Sequence, residues 1–248
     1  MIYLLYLFLC RHVITGLFFG TVFYQQSGGV DFTAYNNRLS VLFFSLLFVL
    51  MSHLIDIANM LQDRPYYYRE RSVYDALAYW LSVTLVQIPF NVINVALYSS
   101  TVYYLVGLRA EAQYFCFFLY ILLMADFVGM MVCQILASVS SSAQVAVSLF
   151  PVSLFFCTAF EGFIVYIPAF PPWLGWLSFA SYLRYGFQAL VLNEFDDNND
   201  LPLSSSYIGL LGFESLSKYQ CANYLWIFVV LGMGVAYAML RFMNFEKR

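Results

Sequence analysis

The chain has 248 residues, 62% of them hydrophobic and only 10% charged, with a mean hydropathy of +0.76 and a formal net charge of −3. Soluble domains carry about 25% charged residues, and a soluble core could not hide this much apolar surface, so the chain reads as an integral membrane protein. Its charge is neither basic nor clustered, which argues against nucleic acid as a partner, and its five cysteines form no metal or disulfide motif.

A helix that crosses a bilayer needs about 20 mostly apolar residues. Six runs meet that requirement: residues 3–24, 41–60, 76–106, 114–137, 143–167 and 222–242. The runs are continuous rather than alternating, which favours helices over a β-barrel. Six spans leave little room for a separate soluble domain. The expected fold is therefore a single all-α membrane domain over residues 1–248, with six transmembrane helices.

The first run is interrupted by Arg11 and His12 and contains Gly16 and Gly20. It lacks the basic start of a cleavable signal peptide and reads as a spanning helix whose cytoplasmic lead-in precedes it. The second run carries His53 and Asp56, three apart on one helix face and expected to pair locally. The polar stretch Leu61–Asp75 follows, with Asp63, Arg64, Arg69, Glu70 and Arg71. The third run has Pro89 near its middle, with Gln87, Asn91 and Asn94 around it. Asn91 and Asn94 share a face that is expected to hydrogen-bond to a neighbouring helix.

In the fourth run Asp126 lies mid-span. An ionisable group there is costly and defaults to a functional hypothesis. It is expected to line a cavity, to pair with Arg11 or His12, or to be protonated, and structural pairing is favoured over a proton relay. Beyond the fifth run come Glu161, expected at a watery outer edge, then Gly162 and the kink Pro168-Ala169-Phe170-Pro171-Pro172. Residues 168–221 read as an external re-entrant segment and loop. Within them Glu194–Gln220, with Asp196, Asp197, Asn198, Asn199, Asp200 and Pro202, is expected to be mobile. Cys10, Cys116, Cys133 and Cys157 sit in apolar runs, where free cysteine behaves as a small hydrophobe. Cys221 stands alone before the last run, as a free thiol or as half of a bond to a second copy.

With the N-terminus inside, seven basic residues fall on the inner side (Arg11, Arg64, Arg69, Arg71, Arg241, Lys247 and Arg248) and four on the outer (Arg38, Arg109, Arg184 and Lys218). That bias puts both termini in the cytoplasm.

Several short segments recur in a telling order. Asn37-Arg38-Leu39-Ser40-Val41-Leu42-Phe43-Phe44 opens the second run. Tyr68-Arg69-Glu70-Arg71 is followed by Tyr74 and Tyr79, then by Gln87-Ile88-Pro89. Tyr104-Leu105-Val106-Gly107-Leu108 closes the third run. Phe160-x-Gly162, Tyr182-x-x-Tyr185-Gly186-Phe187-x-Ala189-Leu190 and Asn193-Glu194-Phe195 complete the series. Together these resemble the membrane domain of the G-type (White/pleiotropic drug resistance) ABC transporters, an ABC-2 type transmembrane domain. Ser40 stands where that family has Gly, and Gln87 where it has Glu.

The resemblance implies the membrane half of an ATP-driven exporter of lipids, sterols or hydrophobic drugs, which dimerises with a second half and carries a short re-entrant helix after its fifth span. It implies a path lined by Phe48, Met51, Ser52, Phe155 and Thr158, an outer plug at Phe163 and Ile164, and a motor-coupling contact at Arg69, Glu70 and Arg71. The chain contains no Gly-x-x-x-x-Gly-Lys-Ser/Thr loop to cradle phosphates. No cofactor is expected within it, and ATP and Mg would be held by a nucleotide-binding domain elsewhere. The abrupt start is expected to be the edge of a longer chain. Two alternatives remain: an ABC-2 permease served by a separate ATPase chain, and a non-transporting membrane partner. An intramembrane enzyme is disfavoured, because no His-Glu-x-x-His or Gly-x-Ser-x-Gly is present and no paired catalytic Asp is expected in adjacent spans.

Overall fold

The computed structural model describes residues 2–25, 32–70, 72–196 and 203–243. Among these, nine α-helices and no strand occur: α1 (Ile2–Val22), α2 (Phe32–Met51), α3 (Leu54–Glu70), α4 (Ala76–Val106), α5 (Ala112–Val139), α6 (Ala143–Ala159), α7 (Tyr182–Phe195), α8 (Ser204–Leu211) and α9 (Lys218–Phe242). Four helical stretches are long and apolar enough to cross a membrane: Phe32–Glu70, α4, α5 and α9. The apolar α6 is shorter, at 17 residues, and α1 has 21.

Local chemistry sets several boundaries. α4 begins where the Asp75 carboxylate accepts from the Ala76 amide at 2.8 Å and ends at Gly107 in the left-handed region, φ 71°. α9 opens with a capping box between Ser217 and Gln220. The second span departs from its expected limits of 41–60. α2 starts nine residues earlier and stops at Met51, and after a turn at Ser52 and His53 the chain resumes as α3. Asn37 and Arg38, ahead of the expected start at 41, are helical, with Arg38 buried. The fifth span also ends early, at Ala159 rather than residue 167. The chain then turns through Gly162, at φ 104°, and two short 3-10 turns, Ile167–Ala169 and Gly175–Phe179.

α5 lies at the centre and packs on α2, α3, α4, α6, α7 and α9. α1 leans on α4 through Gly16 and Gly20. A Cβ at Gly16 would lie 3.1 Å from Thr101 and one at Gly20 2.6 Å from Leu105, so this small-x-x-x-small spacing is what lets the two backbones approach. α7 is buried at all 14 of its residues, wedged against α9, α5 and α2. The stretch expected to be a mobile loop is partly built structure. α8 buries Ile208 and Leu211, and Phe213 follows in the core beside Phe187, 5.9 Å between ring centroids. Residues 197–202 of that stretch lie outside the described residues.

Between α4 and α5, the glue expected from Asn91 and Asn94 is met only in part, by Asn91, and other residues supply the rest. The Trp80 indole donates to Gln134 at 2.8 Å, and Gln134 donates to Thr84 at 3.1 Å. Asn91 reaches only the Met130 sulfur, at 3.7 Å. Asn94 is buried, and its carbonyl oxygen has no hydrogen-bond partner.

Candidate transport path and coupling arm

Among the described residues, α3 is a long helix of mixed polarity, and its C-terminal half is tied down. The Arg64 guanidinium donates to the Ser140 carbonyl at 2.8 Å, to the Ser138 carbonyl at 3.3 Å, and to the Ala137 carbonyl. These are the carbonyls at the end of α5, which have no partner within their own helix. A cation there also meets the negative end of the helix dipole. Tyr67, three residues on, is buried and stacks on Tyr79 of α4 at 4.4 Å. Arg69 is exposed over the Tyr66 ring, and Glu70 is exposed and accepts from the Tyr74 hydroxyl at 2.8 Å. Arg71, the third expected coupling residue, lies outside the described residues. The anchoring role of Arg64 has no local sequence signal, because its partners lie 73 to 76 residues away.

The five expected path residues do not form one continuous surface in this chain. Phe48 packs on Tyr98 of α4 at 4.7 Å and on His12 of α1 at 5.4 Å. Met51 is half-buried, at the end of α2. Ser52 and Thr158 are buried and return their hydroxyls to their own chain, to the Val49 and Phe155 carbonyls. Phe155 is 74% exposed, and it extends an apolar strip on α6 made with Val145, Leu149, Val152 and Phe156. At the expected plug, Phe163 sits between Phe43 (5.1 Å) and Phe187 (5.5 Å), while Ile164 is exposed.

The Asn193-Glu194-Phe195 triplet clasps the α4–α5 connection. Asn193 donates to the Tyr114 carbonyl at 2.9 Å, and the Glu194 carboxyl accepts from the Arg109 amide at 3.2 Å. Arg109 in turn donates to the Asp196 carbonyl at 3.0 Å and lies over the Tyr114 ring at 3.7 Å. Phe195 packs on Tyr35 of α2. Burial pushes the Glu194 carboxyl up to about 7, against the pull of the Arg109 amide and of Arg38 and Arg109 nearby.

Two ionisable residues behave differently from expectation, and a third follows it. Asp126 pairs with neither Arg11 nor His12. Its Oδ1 meets the Nε2 of His53 at 2.9 Å, while the Nδ1 of His53 meets Asp56 at 3.0 Å. The local His53–Asp56 contact is thus present, and Asp126 completes it from α5. Glu161 is fully buried, not at a watery edge, because the turn at Gly162 folds the chain over it. Cys221 is a free thiol and fully buried, in line with the first of its two expected readings.

The sequence of this helical domain is matched by known proteins. The family model for the ABC-2 type transporter covers residues 2–195. The chain belongs to the ABC-2 type transporter family, and it corresponds to the membrane domain of G-type ABC transporters. It is 28% identical over 203 residues to ABC transporter G family member 2 of Dictyostelium discoideum, covering 77% of this chain and 15% of that protein. It is 28% identical over 193 residues to the broad substrate specificity ATP-binding cassette transporter ABCG2 of Sus scrofa, covering 77% of this chain and 29% of that protein. The Brefeldin A resistance protein of Schizosaccharomyces pombe is 28% identical over 182 residues, 72% of this chain and 12% of that protein. The chain therefore spans less than a third of the length of these relatives.

Proposed function

We propose that this chain is the membrane-embedded half of an ATP-driven exporter of hydrophobic molecules. Two such halves face one another across a path, and α3 receives the stroke of a nucleotide-binding domain that lies outside these 248 residues and holds ATP and Mg. The observation that carries this reading is the construction of α3: Arg64 and Tyr67 lock its C-terminal half to α5 and α4, while Arg69 and Glu70 stay exposed at its end. A rigid lever with a charged end is what a water-soluble motor needs in order to push on a helix bundle. The bias of basic residues supports a cytoplasmic position for that tip.

The exposed strip Val145–Leu149–Val152–Phe155–Phe156 on α6 supports a path between two halves, with Phe163 and Ile164 as its outer closure. Aromatic and aliphatic walls of this kind hold amphipathic, lipid-like, sterol-like or drug-like molecules by non-directional contacts. The names of the relatives support a drug-exporting role, since one is called a broad-specificity transporter and another a resistance protein.

The test is charge reversal at the tip. Glu70→Lys in the complete transporter is expected to abolish most substrate-stimulated ATPase activity, while membrane insertion and basal nucleotide binding stay at the wild-type level. Wild-type stimulation in that variant would remove the coupling role from α3.

A further inference from the structure

Four ionisable side chains, from α1, α3, α5 and the α2–α3 turn, converge where α2 gives way to α3. His53 is buried in that turn, and its two ring nitrogens face the carboxylates of Asp56 (3.0 Å) and Asp126 (2.9 Å). Arg11 of α1 donates to the Ser52 carbonyl at 3.3 Å in the same turn and lies close enough to both carboxylates to interact electrostatically. Gly129, one turn beyond Asp126 on α5, leaves room for the ring. A Cβ there would lie 2.9 Å from His53 Cδ2 and 3.0 Å from Leu50.

Proton counting constrains this arrangement. A neutral imidazole has one N–H to donate and one bare nitrogen. A bare nitrogen facing a carboxylate oxygen at hydrogen-bond distance is repulsive, so both contacts are favourable only when the three groups hold two protons among them. Either the ring carries both, or the ring carries one and a carboxyl the other. In either form the three groups sum to −1, and Arg11 brings the set to zero. Remove one proton and a net negative charge remains inside an apolar helix bundle, where charge is costly. The other neighbours do not compensate. On α5 only Cys133 adds an ionisable group near Asp56. α4 and α6 carry no carboxylate or basic residue, and α9 has only Lys218 and Arg241, at its ends. α7 holds Arg184 against Ser178 and Phe179 and Glu194 at the α4–α5 connection. His12 is engaged with Phe48.

We propose that His53, Asp56 and Asp126 form a buried proton-binding site that clamps the α2–α3 turn to α5, and that loss of its proton loosens the root of the α3 arm. The ligand is a proton, and the site lies at the junction between the helix that carries Phe48 and Met51 and the helix that carries Glu70.

Asp126→Asn provides the test, because it mimics the protonated state permanently. The introduced amide donates to the bare Nε2 of His53 while Nδ1–H donates to Asp56, and Arg11 with Asp56 leaves the set neutral with no proton to lose. Thermal unfolding midpoints of the purified full protein are measured for both forms from mildly acidic to alkaline pH. The wild-type midpoint is expected to fall relative to the variant as pH rises, while the variant lacks that limb. Glu194 is common to both and cancels in the difference. Asp56→Asn, altered on the other flank of the ring, is expected to behave alike and serves if Asp126→Asn does not fold. A difference between wild type and both variants that stays constant with pH would overturn the site. This readout requires nothing of the transport reading. Substrate-stimulated ATPase activity, which does rest on it, is expected to follow the same wild-type limb. A midpoint limb without an activity limb would keep the proton site and overturn its effect on the arm.

Discussion

Replacing Arg64 with Met keeps most of the aliphatic stem and removes every donor that ties α3 to the end of α5. Two of its three carbonyl contacts are close, and the one to Ser138 is long at 3.3 Å. A hydrogen bond from a charged donor contributes about 1.5–3 kcal/mol, and at a half-exposed position solvent screening reduces that by roughly half. Two such bonds with a few tenths of a kcal/mol from the helix terminus give about 2 kcal/mol. That is a factor of about 30 in the equilibrium for local opening. Amide hydrogen exchange reports this directly, because exchange of protected amides scales with local opening. In Arg64→Met, amides in the Ile57–Glu70 part of α3 are expected to exchange about 30-fold faster, with those of α4 and α9 unchanged. Wild-type protection in α3 would refute the anchoring argument. An equal loss of protection along the whole chain would also refute it, by showing that Arg64 stabilises the fold rather than the arm.

Two further outcomes follow from the opposite end of the bundle. The Glu194 carboxyl is raised in the folded chain from 4.5 to about 7, so its proton favours the fold. That contribution is complete below about 4.5 and is lost as pH rises through about 7. Glu194→Gln keeps an acceptor for the Arg109 amide and cannot ionise, so its melting midpoint is expected to rise relative to wild type by a few degrees across that window and to level off above it. A difference that shrinks with rising pH would contradict the assignment. At the expected plug, Phe163→Ala with Ile164→Ala removes a ring packed between Phe43 and Phe187 together with an exposed aliphatic group. It is expected to raise basal ATPase activity or passive substrate leak in vesicles, and wild-type values in both assays would withdraw the plug.

How much of this was legible in the sequence depends on whether the cause was local. α4 runs over the predicted residues 76–106 because an N-capping Asp and a terminal Gly bracket its apolar run. α5 and α9 follow their hydropathy within a few residues, α9 opening on the capping box of Ser217 and Gln220. α2 did not, because Arg38 near its start is buried close to Glu194, 156 residues away, a partner no local pattern shows. The break at Ser52 and His53 was hidden for the same cause. His53 looks like a helix residue with a local acid until Asp126 claims its other nitrogen across 73 positions. The burial of α7 was equally invisible. Its apolar stretch Phe187–Leu192 is too short for a span, and its place between α5 and α9 is a property of the bundle alone. The path residues were inferred from likeness, and in a single chain Phe48 faces α1 and α4 while Phe155 faces outward.

The central claim is that this domain moves hydrophobic molecules when a nucleotide-binding domain drives it. The most direct measurement places the full-length protein containing these residues in inside-out lipid vesicles and follows entry of a fluorescent hydrophobic dye, with ATP and Mg outside and with a non-hydrolysable analogue as control. The account predicts ATP-dependent accumulation that Glu70→Lys abolishes. Dye entry indifferent to ATP, from a protein that inserts and hydrolyses the nucleotide normally, would contradict it.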